Sequence, residues 1–298
     1  MHKLTRLFLA FFFLSNALFA QEDSTMLLLL NEEAPQREYV KNAFKSNRVI
    51  NGHSMEMTGK GVLDFRILHR FGMLKGGLKD MFGLDQASMR LGLDYGIHKN
   101  LTIGIGRSTY LKEFDGYVKY RLAHQRKGKE AFPVSIIWVS GATLYTIAAP
   151  DPRIDYFSNR LGYYHQLIVG RKMSENLTLQ VTPTLVHRNM VNLASDKNDM
   201  LALGLGARIK ITNRSALIFD TYPILYGASK NVQYFPLSIG MDIETGGHVF
   251  QLHITNARGM NERAFIADTY QTWGKGEIQF GFNLSRVFTV TKNTETSW

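Results

Sequence analysis

From Gly61 onward, apolar and polar residues alternate one by one over most of this chain. A period of two commits such stretches to β-strands with one apolar and one polar face. In Gly61–Phe71, Leu63, Phe65 and Ile67 share one face, and Asp64, Arg66 and Arg70 the other. Ser88–Ile97 sets Met89, Leu91, Leu93, Tyr95 and Ile97 against Arg90, Gly92, Asp94 and Gly96. The pattern predicts strands at 61–71, 88–97, 101–111, 115–124, 132–146, 160–173, 177–188, 200–211, 215–226, 236–244, 248–256 and 276–290. Each is close to the roughly 9–11 residues that a tilted strand needs to cross a bilayer, and the count is even, as in single-chain bacterial barrels.

The connections sharpen this. Short ones (98–100, 125–131, 174–176, 212–214 and 245–247) alternate with mostly long ones at 72–87, 147–159, 189–199, 227–235 and 257–275; the tight Lys112–Phe114 is the exception. Short turns at one end and long loops at the other distinguish a membrane barrel from a soluble sandwich or lipocalin-like barrel. One face is a Leu/Ile/Val/Phe stripe; the other mixes Gly, Ser, Thr and charges, with glycines that suit a narrow, crowded polar lumen. Tyr95, Tyr110, Tyr120, Trp138, Tyr145, Tyr163 and Phe288 fall near strand ends, as in an interfacial girdle. The expected fold is all-β: a transmembrane antiparallel up-and-down β-barrel of about 12 strands over residues 61–290. A soluble periplasmic barrel is the competing architecture.

The flanks read differently. Residues 1–20 carry His2, Lys3 and Arg6, then the apolar run Leu7–Leu14, then small residues ending at Ala20, which is the pattern of a cleavable signal peptide. Residues 21–60 fit the pattern less well and are expected to form a periplasmic or lumen segment, with Ser46–Met57 either an extra strand or a lumen insert; 291–298 form a polar C-terminal tail. Nothing after the leader has the roughly 20 apolar residues of a spanning helix. The chain has no cysteine, which excludes disulfides, thiolate metal sites and a cysteine nucleophile. The formal charge of +10 falls to +8 once Lys3 and Arg6 leave with the leader. That surplus is read as lumen and membrane-surface chemistry, with no nucleic acid as partner.

Val62–Gly72 (VLDFRILHRFG), Gly83–Asp85 (GLD), Arg90–Gly96 (RLGLDYG), Gly104–Ser108 (GIGRS), Asp115–Tyr120 (DGYVKY) and Phe280–Phe288 (FGFNLSRVF) together resemble the signature of a Gram-negative β-barrel family known only as a domain of unknown function. The resemblance covers nearly the whole chain after the leader. It implies an outer-membrane-type barrel, with the bacterial outer membrane as its location and membrane lipid as its surroundings, and it implies no activity. Barrel-assembly machinery is a further expected partner, reading either Phe288 or Trp298 as the terminal aromatic. The tail after Phe288 departs from that pattern.

The polar faces nominate Asp64, Arg66, Arg70, Arg90, Asp94, Lys119, Arg121, Arg208, Lys210, Asp220, Asp242 and Glu244 as lumen-lining, seven basic residues against five acidic. One reading is a narrow, porin-like channel or transport/binding protein that favours small polar or anionic solutes. The other is a ladder of ion pairs in a plugged lumen, giving a structural or partner-binding barrel, because buried charges must be paired or hydrated. No cofactor or metal is expected: Gly104–Ser108 lies within a strand, His69 has no second ligand at metal spacing, and Asp196, Asn198 and Asp199 depart from a calcium loop. The chain is expected not to be an enzyme. The remote exception is a barrel phospholipase using Ser140 and His165, which share the outward face of neighbouring strands but have no evident orienting partner.

Overall fold

A computed structural model describes residues 36–148, 155–191, 193, 195–229 and 233–291. The leader at 1–20 and tail residues 292–298 lie outside the described residues. Twelve strands form the barrel: β1 (Val62–Met73), β2 (Ala87–His98), β3 (Leu101–Ser108), β4 (Glu113–Ala123), β5 (Ser135–Tyr145), β6 (Leu161–Lys172), β7 (Leu177–Arg188), β8 (Asp199–Lys210), β9 (Ser215–Thr221 continuing as Ile224–Tyr226), β10 (Leu237–Thr245), β11 (His248–Thr255) and β12 (Gln279–Thr289). Each pairs antiparallel with its sequence neighbour, and β12 returns to β1 with Phe288 opposite Leu63, so the sheet closes and leaves no edge. Pro223 cannot donate to the ladder, and the break in β9 falls there.

The alternating segments and the strands coincide closely. The third strand stops early, at Ser108, because Tyr110–Lys112 form a tight turn in which Leu111 and Lys112 take positive φ. The apolar residues Leu91, Leu93, Ile105, Leu205, Ile209 and Leu252 face outward and are exposed, whereas their polar neighbours are buried. The outside is therefore the apolar face, which is the arrangement that lipid requires. Tyr120, Trp138 and Phe288 join the exposed outer face. Two expected girdle residues do not: Tyr110 sits in the turn after β3, and Tyr145 has the inward parity of β5, so both look onto the loop-end mouth.

Inward glycines make room for large lumen side chains. A Cβ on Gly104 would stand 2.3 Å from the Tyr117 ring, one on Gly141 2.4 Å from Tyr164, and one on Gly106 2.2 Å from Arg90. Gly106→Val is therefore expected to push the Arg90 guanidinium off its carboxylate. Such overpacking costs about 1–3 kcal/mol. A lower temperature for loss of the compact barrel mobility on gels checks it.

Candidate functional site

The lumen is filled by the chain's own N-terminal segment. Residues 43–58 enter the barrel ahead of β1, and Val49, Ile50, Asn51 and His53 reach at most 1% exposure. The segment has no strand partner in the barrel, so its backbone groups must find others. Asp220 Oδ2 on β9 accepts from the amides of Ile50, Asn51 and Gly52 at 3.4, 3.1 and 3.0 Å. Carbonyls are met in turn: Gln251 Nε2 donates to Val49 at 2.8 Å, Asn283 Nδ2 to Ile50 at 3.0 Å, Gln180 Nε2 to His53 at 2.8 Å and Lys119 Nζ to Ser54 at 2.8 Å. These partners stand on β9, β11, β12, β7 and β4, so the plug is anchored around the ring.

A second element comes from the long loop after β11. Helix α1 (Glu262–Ala267) is capped by Asn261, whose Oδ1 accepts from the Ala264 amide at 2.8 Å, and all six of its residues are buried. Plug and helix meet at Arg48–Glu262, with Nη1 2.8 Å from Oε1, at 1% and 0% side-chain exposure. His53 Nε2 lies 3.3 Å from the same oxygen. Burial, then the neighbouring Arg48, hold the His53 imidazole well below its usual range, so it stands there as a neutral ring. Arg263 anchors the helix to the wall through Glu113, at 2.6 Å, and also meets Asp268 at 2.8 Å.

Of the twelve nominated positions, Asp64, Arg66, Arg70, Arg90, Asp94, Lys119, Arg208, Asp220 and Asp242 are buried inside the barrel. Arg66 lies between Asp64 at 2.6 Å and Asp94 at 3.0 Å, and reaches Ser46 of the plug at 3.1 Å. Arg90 is bound by both oxygens of Asp115, at 2.8 and 2.5 Å. Arg70 donates to Asn283 and to Asn51 of the plug, each at 3.0 Å. Arg208 stands 3.9 Å from Asp242. Arg121, Lys210 and Glu244 are partly exposed near the short-turn end, where Glu244 pairs with Lys45 at 2.7 Å.

Sequence reasoning missed Arg48, Glu113, Asp115, Arg188, Glu262, Arg263 and Asp268. With them counted and the partly exposed Arg121, Lys210 and Glu244 set aside, the described buried residues are eight basic and eight acidic. The basic surplus read from the strand faces is not carried by these buried groups.

On the outward face, Ser140 and His165 are direct cross-strand partners, with Oγ 2.9 Å from Nδ1. His187 Nδ1 likewise meets Asp199 at 2.7 Å, so Asp199 is engaged with a ring rather than with Asp196 and Asn198. Asn198 Nδ2 donates to the Arg188 carbonyl at 2.6 Å. His69 stacks on Phe282, 4.8 Å between ring centres, on the outer face of the closing seam.

Among solved structures, the chain is similar in outline to "NanC porin structure in rhombohedral crystal form" (10% identity, TM-score 0.48, 76% of this chain and 98% of that one). It is also similar to "KdgM porin" (8%, TM-score 0.44, 76% and 98%) and to "LpxR from Salmonella typhimurium" (10%, TM-score 0.35, 76% and 100%). No curated protein matches the sequence. Residues 44–288 match the model of a family described as a membrane bound beta barrel domain (DUF5777), which spans the plug, all twelve strands and the loop helix. The chain belongs to this family of membrane-bound β-barrels.

Proposed function

We propose that this barrel is a transport or binding protein for small polar solutes that is closed at rest by its N-terminal plug. The observation that carries the reading is the way the plug is held. It is bound by side-chain hydrogen bonds and ion pairs spread over many strands, and not by strand addition, so it can shift without unzipping the sheet. When it moves, the nominated lumen residues become the hydrated lining of a path. The equal numbers of buried acidic and basic groups give that path no reason to prefer anions along its length. Proteoliposome uptake of a neutral sugar tests this. Uptake is expected to be slow with the intact chain and to rise when the plug is loosened by Asp220→Ala. No uptake by either form, in barrels of normal gel mobility, would instead favour a structural or partner-binding barrel.

The 2.9 Å Ser140–His165 contact favours a second reading, lipid hydrolysis. Two things weigh against it. Acyl transfer needs donors for the developing oxyanion, and the strand around Ser140 is laddered on both sides, to β4 and to β6. The histidine also shows no orienting carboxylate or amide on its other nitrogen among the described contacts. Phospholipid vesicles are expected to release fatty acid no faster with the native chain than with Ser140→Ala. A serine-dependent rate would establish the enzyme.

A further inference from the structure

The loop end of the barrel holds a cavity of about 370 Å³ above helix α1, walled by Tyr110, Tyr145 and Tyr270. That volume is at the small end of the range for small-molecule sites. Three arginines line it, and two are already neutralised. Arg160 is forked onto Asp155, and Arg263 lies between Glu113 and Asp268 with its guanidinium 4.3 Å from the centre of the Tyr145 ring.

Arg188 is the third. It projects inward from the last position of β7 and is 6% exposed. Its Nη2 donates to the Lys197 carbonyl at 2.9 Å, and its Nε has no partner among the described residues. Among the described residues, no carboxylate lies within ion-pair distance of it. A buried guanidinium without a counter-charge is unfavourable unless an anion from outside supplies one, and its planar fork matches a carboxylate. The tyrosines add flat apolar faces with hydroxyls beside them. Tyr110 keeps its proton, since burial, then Asp268, push its hydroxyl up to about 12, so it remains a donor. At the rim, exposed Arg258 stacks over the Tyr110 ring at 5.3 Å and adds a positive charge at the entrance.

We propose that this vestibule binds a small ring-bearing carboxylate, its charge on Arg188 and its ring against the tyrosine wall. The inference rests on the solute-handling reading above for its biological sense. The site itself does not require the plug to open, so binding is measured apart from uptake.

Isothermal titration of the full chain in detergent, with D-glucuronate and benzoate as probes and D-glucose and benzyl alcohol as their uncharged counterparts, tests it. At least one acid is expected to bind at least about tenfold more tightly than its neutral counterpart, because the charged fork is engaged only by the acid. Arg188→Gln is expected to abolish that difference, and Arg188→Lys to restore part of it, since an ammonium supplies charge without the fork. Tyr110→Leu, which keeps Arg188, is expected to weaken the acid severalfold. The proposal is overturned if neither acid is preferred, or if the preference survives Arg188→Gln in a barrel of normal gel mobility. Acid binding without uptake would overturn the transport reading and leave the site standing.

Discussion

A chain lacking residues 43–58 will conduct in planar bilayers at least about tenfold more than the intact protein, whose lumen that segment occupies. The expectation follows from what those residues occupy. Ile50, Asn51 and His53 lie at the centre of the barrel with no exposed surface, and lumen side chains hold their backbone from several directions. Deletion exchanges these contacts for water, which can hydrate Lys119, Asp220 and Arg70, so the vacated walls do not carry stranded charges. The sheet keeps every ladder hydrogen bond, because no barrel strand pairs with the plug. Asp220→Ala gives a milder version: three amides of the plug turn lose their acceptor, and brief openings are expected in place of a steady current. If the intact chain conducts as well as the deletion, the closed-barrel reading fails.

The second large effect belongs to Arg48 and Glu262, which join plug to loop helix across 214 residues of sequence. Arg48→Met leaves the Glu262 carboxylate buried without its guanidinium partner, and Glu262→Gln leaves Arg48 without its counter-charge. Removing one partner of such a pair costs about 3–5 kcal/mol. The double substitution Arg48→Met/Glu262→Gln is expected to recover most of that, because no uncompensated charge remains. The loss should appear in the plug and not in the barrel. The natural chain has no cysteine, so Ser54→Cys introduces a single thiol, and its rate of labelling reports plug release directly. Labelling is expected to accelerate in each single variant and to return towards the parent rate in the double. Equal rates in all four would show that the pair does not hold the plug. The pair is shielded from solvent, so added salt is expected to change these rates little.

The barrel was legible because its determinants are local and periodic. Alternation along Leu201–Ile211 or Leu237–Glu244 encodes a face, and the loop lengths encode which end is which. The plug has no such code. Residues 43–58 carry no period, and their hydrogen bonds run to side chains on strands 19 to 233 positions away, such as Arg70, Gln180 and Asn283. The lumen charges failed in an instructive way. Glu113 falls in a connection read as a turn, Asp115 is the first residue of its expected strand, and Arg263 and Asp268 lie in a loop that gives no sign of folding inward. The missed residues include more acids than bases, and two of the nominated bases, Arg121 and Lys210, against one acid, Glu244, stand partly exposed, so the strand faces show a basic surplus while the buried groups balance. Tyr110 and Tyr145 were misassigned for a related reason: nearness to a strand end is visible in sequence, but which way the ring faces depends on where β3 stops and on the parity of β5.

The plug's position ahead of β1 sets an order of assembly. The residues synthesised first are those whose partners are made last: Arg48 waits for Glu262, the Val49 carbonyl for Gln251 and the Ile50 carbonyl for Asn283. Contacts of such sequence separation are slow to form, because the long intervening chain must be ordered before they reward it. The N-terminal segment is thus a guest whose buried polar groups are satisfied only when the last staves of the cask, β11 and β12, are in place.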